Sequence, residues 1–78
     1  MAMKVQDNGA TVTVFRVSPF SKKEHEMVMP LTLAQFNACY NEWQAGVKIQ
    51  NAFSMLNADQ REFLMTGITP AEWDKAFG

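Results

Sequence analysis

Three times along this chain a residue that can cap a helix stands three positions before a Gln or Glu. The segments are Thr32-Leu33-Ala34-Gln35, Asn57-Ala58-Asp59-Gln60 and Thr69-Pro70-Ala71-Glu72. Each is a capping box, in which the first side chain accepts from the amide of the fourth residue and the fourth side chain reaches back to the amide of the first. Helices are therefore predicted to start at 33, 58 and 70. Leu31 can pack on Phe36 across the first start, and Ile68 on Trp73 across the third, as hydrophobic staples. The stops are written too. Gly67 suits the left-handed residue that closes a helix, Gly46 should terminate or kink the first one, and Pro70 occupies the first helical position, where a missing N–H costs nothing.

The apolar spacing agrees with those boundaries. Leu33, Phe36, Tyr40, Trp43 and then Val47 make one stripe, Ile49, Ala52, Phe53 and Leu56 a second, Phe63 and Leu64 a third, and Trp73 with Phe77 a fourth. Helices are predicted over about 33–45, 48–56, 58–66 and 70–77. Ahead of them the pattern is extended. Asn8-Gly9 is the dipeptide best suited to a tight turn with positive φ at both central positions. Thr11–Val17 is rich in β-branched residues. A third strand is predicted in His25–Leu31, where Met27, Met29 and Leu31 alternate with Glu26, Val28 and Pro30. Pro30 cannot donate to a ladder, so this strand should be an edge, or end there. The expected fold is α+β: residues 1–78 as a single domain, with a three-stranded antiparallel meander in 1–31 and about four short helices packed on it in 32–78.

With 78 residues, 47% of them hydrophobic, the chain can fill one core and has no room for a second domain. Seven basic residues against eight acidic leave a net charge of −1, so no cationic excess is available to neutralise a phosphate backbone. Cys39 is the only cysteine. A small domain without an intrachain disulfide points to a reducing compartment, and a cytoplasmic setting is the expectation. Neither a signal peptide nor a run of eighteen apolar residues is visible, so no membrane association is expected.

Chemistry is sparsely signalled. His25 is the only histidine, and its neighbours Glu24 and Glu26 would point to the opposite face of a strand. It reads as a surface or edge-strand residue. Cys39 sits beside the Phe36–Trp43 stripe with nothing local to lower its pKa, so it reads as a small buried thiol. One His and one Cys cannot assemble a metal site, and the carboxylates lack calcium-loop spacing. No catalytic residue, cofactor or metal is expected. Residues 58–77 have the outline of a helix-turn-helix, yet the candidate reading face of Glu72, Asp74 and Lys75 is net acidic and would be repelled by phosphate. Trp43, Trp73 and Phe77 are read as core in so small a domain. Phe20, between Pro19 and Ser21 where no packing period demands it, is the candidate exposed anchor of a protein contact, with Lys22 and Lys23 beside it to steer an acidic partner. The alternative, that Phe20 folds back over the sheet, stays open.

Residues 43–77 also resemble a group of small proteins of tailed bacteriophages and prophages that have no assigned activity. The resemblance is carried by Trp43-Gln44-Ala45-Gly46, by Ile49-Gln50-Asn51-Ala52-Phe53 and by Asp59 through Asp74, and more faintly by Val17–Ser21 and Met29–Thr32. Two departures stand out: Ser54 where a proline is expected, and Asn37-Ala38-Cys39-Tyr40 lengthening the spacing before the Trp-Gly segment. The resemblance implies a context, infection of a bacterium, and supplies no site residues. The function expected is non-enzymatic: binding a host protein to inhibit or redirect it, or pairing with another phage protein, in the host cytoplasm. A nucleic-acid-binding accessory and a minor virion component are the alternatives, and self-association is left open.

Overall fold

The computed structural model describes residues 3–77. Its order is β1 (Lys4–Asp7), β2 (Val12–Val17), β3 (Glu24–Met29), α1 (Leu33–Gln44), α2 (Ile49–Ala52), α3 (Ala58–Thr66) and α4 (Pro70–Phe77). The three strands form one antiparallel sheet with β2 in the middle. This is the predicted α+β arrangement, a three-stranded sheet followed by four helices.

Register follows from side-chain alternation. Val5, Val14 and Met27 lie opposite one another, as do Asp7, Val12 and Met29. Val12, Val14 and Met29 are completely buried, with Val5 and Met27 packed around them. That face receives the helices. Leu31, Phe36, Ala52, Phe53, Leu56, Phe63 and Leu64 complete the core. A slip of one residue would turn every one of these strand side chains to solvent, which is why the register is strongly specified. The Arg16 guanidinium donates to the Leu64 carbonyl and ties α3 to β2. Trp43 sits at the core margin, edge-on to Phe53 at 6.1 Å and to Tyr40 at 6.0 Å.

All three capping boxes form. Thr32 Oγ1 accepts from Gln35 N at 3.2 Å and Gln35 Oε1 from Thr32 N at 2.9 Å. The Asn57–Gln60 pair closes at 2.8 and 2.9 Å. Thr69 and Glu72 do so at 3.2 and 3.3 Å. Gly46 terminates α1 in a Schellman motif, with its own N–H donating to the Trp43 carbonyl and that of Val47 to Glu42. Val47 thus lies past the helix and is exposed, off the stripe predicted for it.

Three further predictions are corrected. The hairpin reverses over Gly9 and Ala10, one residue later than expected, with Asn8 N–H donating to the Thr11 carbonyl. Only Gly9 takes positive φ, at 91°. Asn8 stays out of the left-handed region, and its amide donates across the hairpin to Thr11 Oγ1 and Thr13 Oγ1 while Asp7 Oδ1 accepts from Gly9 N. Those side-chain bonds outweigh the turn preference of the dipeptide. The third strand runs Glu24–Met29 in place of His25–Leu31; its end before Pro30 and its place at the sheet edge are as the missing N–H led one to expect. The second helix is a single turn, because Phe53 leaves helical geometry (φ −115°, ψ 51°) to bury its ring, and Asn57 must be extended to cap α3.

Gly67 is held by two constraints at once. It closes α3 at φ 79° with its N–H on the Phe63 carbonyl at 2.8 Å, and a Cβ there would lie 2.9 Å from the Val17 carbonyl oxygen. Gly67→Ala is therefore predicted to cost more than the ~1 kcal/mol of left-handed strain alone. Urea titration checks this, and an unchanged midpoint would contradict both constraints.

Candidate functional site

The loop that joins β2 to β3, residues 18–23, is fixed from within. Ser18 is completely buried. Its N–H donates to the Lys23 carbonyl, its carbonyl accepts from Lys22 N, and its Oγ accepts from Phe20 N at 3.1 Å. Lys22 has φ 62°, the one positive φ at a non-glycine among the described residues. Short hydroxyl-to-backbone bonds of this kind mimic a turn and stiffen it. The result is a rigid loop that presents Phe20.

Phe20 does not fold over the sheet. It leans on α4, its ring 6.1 Å from Trp73 in an edge-on arrangement and 5.9 Å from Phe77, while Trp73 and Phe77 lie 4.8 Å apart. Aromatic pairs at these separations and tilts attract one another. The cluster stands apart from the main core and remains wet: Phe20 is 48% exposed and Phe77 69%. Reading Phe77 as core is thereby corrected. No residue of α4 is fully buried, so no core seat holds this helix. The Trp73 indole N–H is shielded from solvent and has no hydrogen-bond acceptor among the described residues.

Beside the rings lies a polar trio from three elements. His25 Nε2 on β3 is 3.1 Å from Glu72 Oε2 on α4, and Ser21 Oγ in the loop is 3.4 Å from the same ring nitrogen. Glu72 Oε1 meanwhile accepts from Thr69 N in the capping box. The Glu72 carboxyl is held down to about 2, foremost by the Ser21 hydroxyl, against the opposing effect of burial, with further help from Ser18, the Thr69 amide and His25. Glu72 is thus an anchored carboxylate, turned away from the acidic reading face on which the sequence placed it. A groove of about 390 Å³ runs alongside, with Phe20 and Ala76 as apolar walls and Lys23 and Lys75 as cations near the trio.

Ser, His and Glu in contact invite comparison with a nucleophile–base–acid relay. That relay needs the hydroxyl at one imidazole nitrogen and the acid at the other. Here both sit at the same nitrogen, Nε2, so Glu72 does not orient the ring from the far side. Burial first, and then Glu42, pushes the Cys39 thiol up, the opposite of what activates a thiol. Among the described residues no three His, Cys, Asp or Glu side chains group to hold a metal ion, and no helix is long and apolar enough to cross a membrane.

Of the three residues singled out in the sequence, Phe20 and Lys23 line this groove and Lys22 does not. Sequence reasoning missed Trp73, Phe77, Glu72, His25 and Lys75 as its companions. The available signal was the Trp73–Phe77 stripe itself, two large rings one turn apart on the last helix. Comparison with models of known families, with characterised proteins and with solved structures finds no match.

The anchored carboxylate predicts an acid signature. Because the folded state depresses the Glu72 pKa, its contribution is present above the ordinary range near 4.5 and is lost as pH falls toward about 2. Glu72→Gln keeps a side chain able to close the capping box but cannot titrate. Urea denaturation at a series of pH values should show wild type more stable than Glu72→Gln at neutral pH, with the gap narrowing steadily across that window. A gap that does not vary with pH would contradict the anchoring.

Proposed function

We propose that this is a non-enzymatic protein-binding module, whose contact surface is the Phe20–Trp73–Phe77 cluster and the groove beside it, and which receives an acidic, partly apolar segment of a protein partner. The observation that carries the reading is the exposure of two phenyl rings in a cluster on a backbone-locked loop and a short helix. A large apolar group left in water on a small domain, beside cations, is the composition of an interface anchor with a polar rim. Lys23 and Lys75 set the sign expected of the partner. The context that fits the resemblance of residues 43–77 is infection of a bacterium by a tailed phage, with the partner either a host factor to be inhibited or redirected or a second phage protein.

Phe77→Ala removes the most exposed ring and should leave the thermal midpoint within a few degrees of wild type. It should weaken partner capture by roughly thirtyfold, the equivalent of about 2 kcal/mol at an anchor position. Lys23→Glu together with Lys75→Glu should chiefly slow association and flatten its salt dependence, as rim charges do. The measurement is capture from nuclease-treated bacterial lysate followed by binding kinetics with the identified partner. Capture that disappears on nuclease treatment, or that survives Phe77→Ala unchanged, would overturn the reading.

A further inference from the structure

The helices cover only one face of the sheet. On the other face the register places three rows: Gln6, Thr13 and Val28; Lys4, Phe15 and Glu26; and Val17 with Glu24. Val17 is 53% exposed and Val28 54%, Lys4, Glu24 and Glu26 are exposed, and the Lys4 ammonium lies 5.6 Å from the centre of the Phe15 ring. Along the central strand this face carries the buried Thr13, the half-buried Phe15 and the exposed Val17, with Val28 beside Thr13 on β3; a cation marks the β1 side and two carboxylates the β3 side.

From this distribution we infer that a second copy of the chain packs on the open face, related by a two-fold axis running parallel to β2. Rotation about that axis reverses the strand order while keeping positions along the strands. It sets Lys4 of each copy over Glu26 of the other, and Phe15 over Phe15, because Lys4, Phe15 and Glu26 share one row. Stacked sheets lie about 10 Å apart, a gap that an extended Lys and an extended Glu span from opposite sides. An axis across the strands would instead stack β1 on β1 and β3 on β3, setting lysine near lysine and carboxylate near carboxylate. The charges select the first arrangement, and such an interface is self-complementary, as two-fold symmetry requires.

The face is small. Strands of up to six residues, at about 3.3 Å per residue and about 4.8 Å between strands, give roughly 300 Å² on each copy, well under the ~800 Å² per partner of a standard interface. The dimer is accordingly weak and concentration-dependent, and it leaves the aromatic cluster on α4 free.

Sedimentation equilibrium of the full chain from micromolar to millimolar concentration tests this with exposed-residue variants. Wild type should associate reversibly. Lys4→Glu and Glu26→Lys should each weaken association by roughly tenfold or more, since each sets like charges face to face. An equimolar mixture of the two variants, and the double variant Lys4→Glu/Glu26→Lys, should associate again, because opposite charges then face each other. Wild type that stays monomeric throughout, or single variants that associate as wild type does, would overturn the inference. So would concentration-dependent NMR shifts confined to Phe20, Trp73 and Phe77, or to the outer edge of β1 or β3, which would place the contact on those surfaces.

Discussion

One carboxylate joins the last helix to the rest of the molecule. Glu72 closes the capping box of α4 through one oxygen and meets His25 of β3 through the other, with the Ser21 and Ser18 hydroxyls adding to its stabilisation. Capping needs an acceptor at this position in any case; placing a carboxylate there makes the same residue answer both to its own helix and to the sheet. Partly buried anions persist only when several donors converge on them, and here hydroxyl, amide and imidazole do so. Since no residue of α4 is fully buried, this polar contact and the Phe20–Trp73–Phe77 rings carry the orientation of the helix between them.

The rings that orient α4 lie outside the main core, and Phe20 and Phe77 among them stay exposed. The loop presenting Phe20 is stiffened by the buried Ser18 and by the left-handed Lys22. A partner meeting a pre-ordered anchor loses little further conformational freedom at that residue. The proposed binding surface and the docking of α4 are thus two uses of the same side chains, whereas the open sheet face, on the opposite side from the core, is an independent surface with its own charge pattern.

What could be read from the sequence was local. Each capping box, the glycine closing α1 and the glycine closing α3 involves residues within one or two turns of each other, where bonding is dictated by spacing. Local reading failed where side chains competed with backbone preference. Asn8 spends its amide on Thr11 and Thr13, which moves the hairpin reversal one residue along, and Phe53 breaks the second helix to reach the core. The site was only partly legible for a different reason. Phe20 stood out because no period explained it, but its companions lie some fifty positions away, and His25 meets Glu72 across 47 residues. No periodicity within either segment encodes that meeting; it follows from how the third helix turns the chain at Gly67 against β2.

The loop residue Phe20, together with Glu72, keeps α4 docked. Native-state hydrogen exchange in wild type and Phe20→Ala measures this directly, because exchange reports the opening free energy of each element separately. The account predicts that the amides of α4 lose protection in the variant while those of β2 and α3 keep theirs. Unchanged protection in α4, or an equal loss throughout the chain, would contradict it.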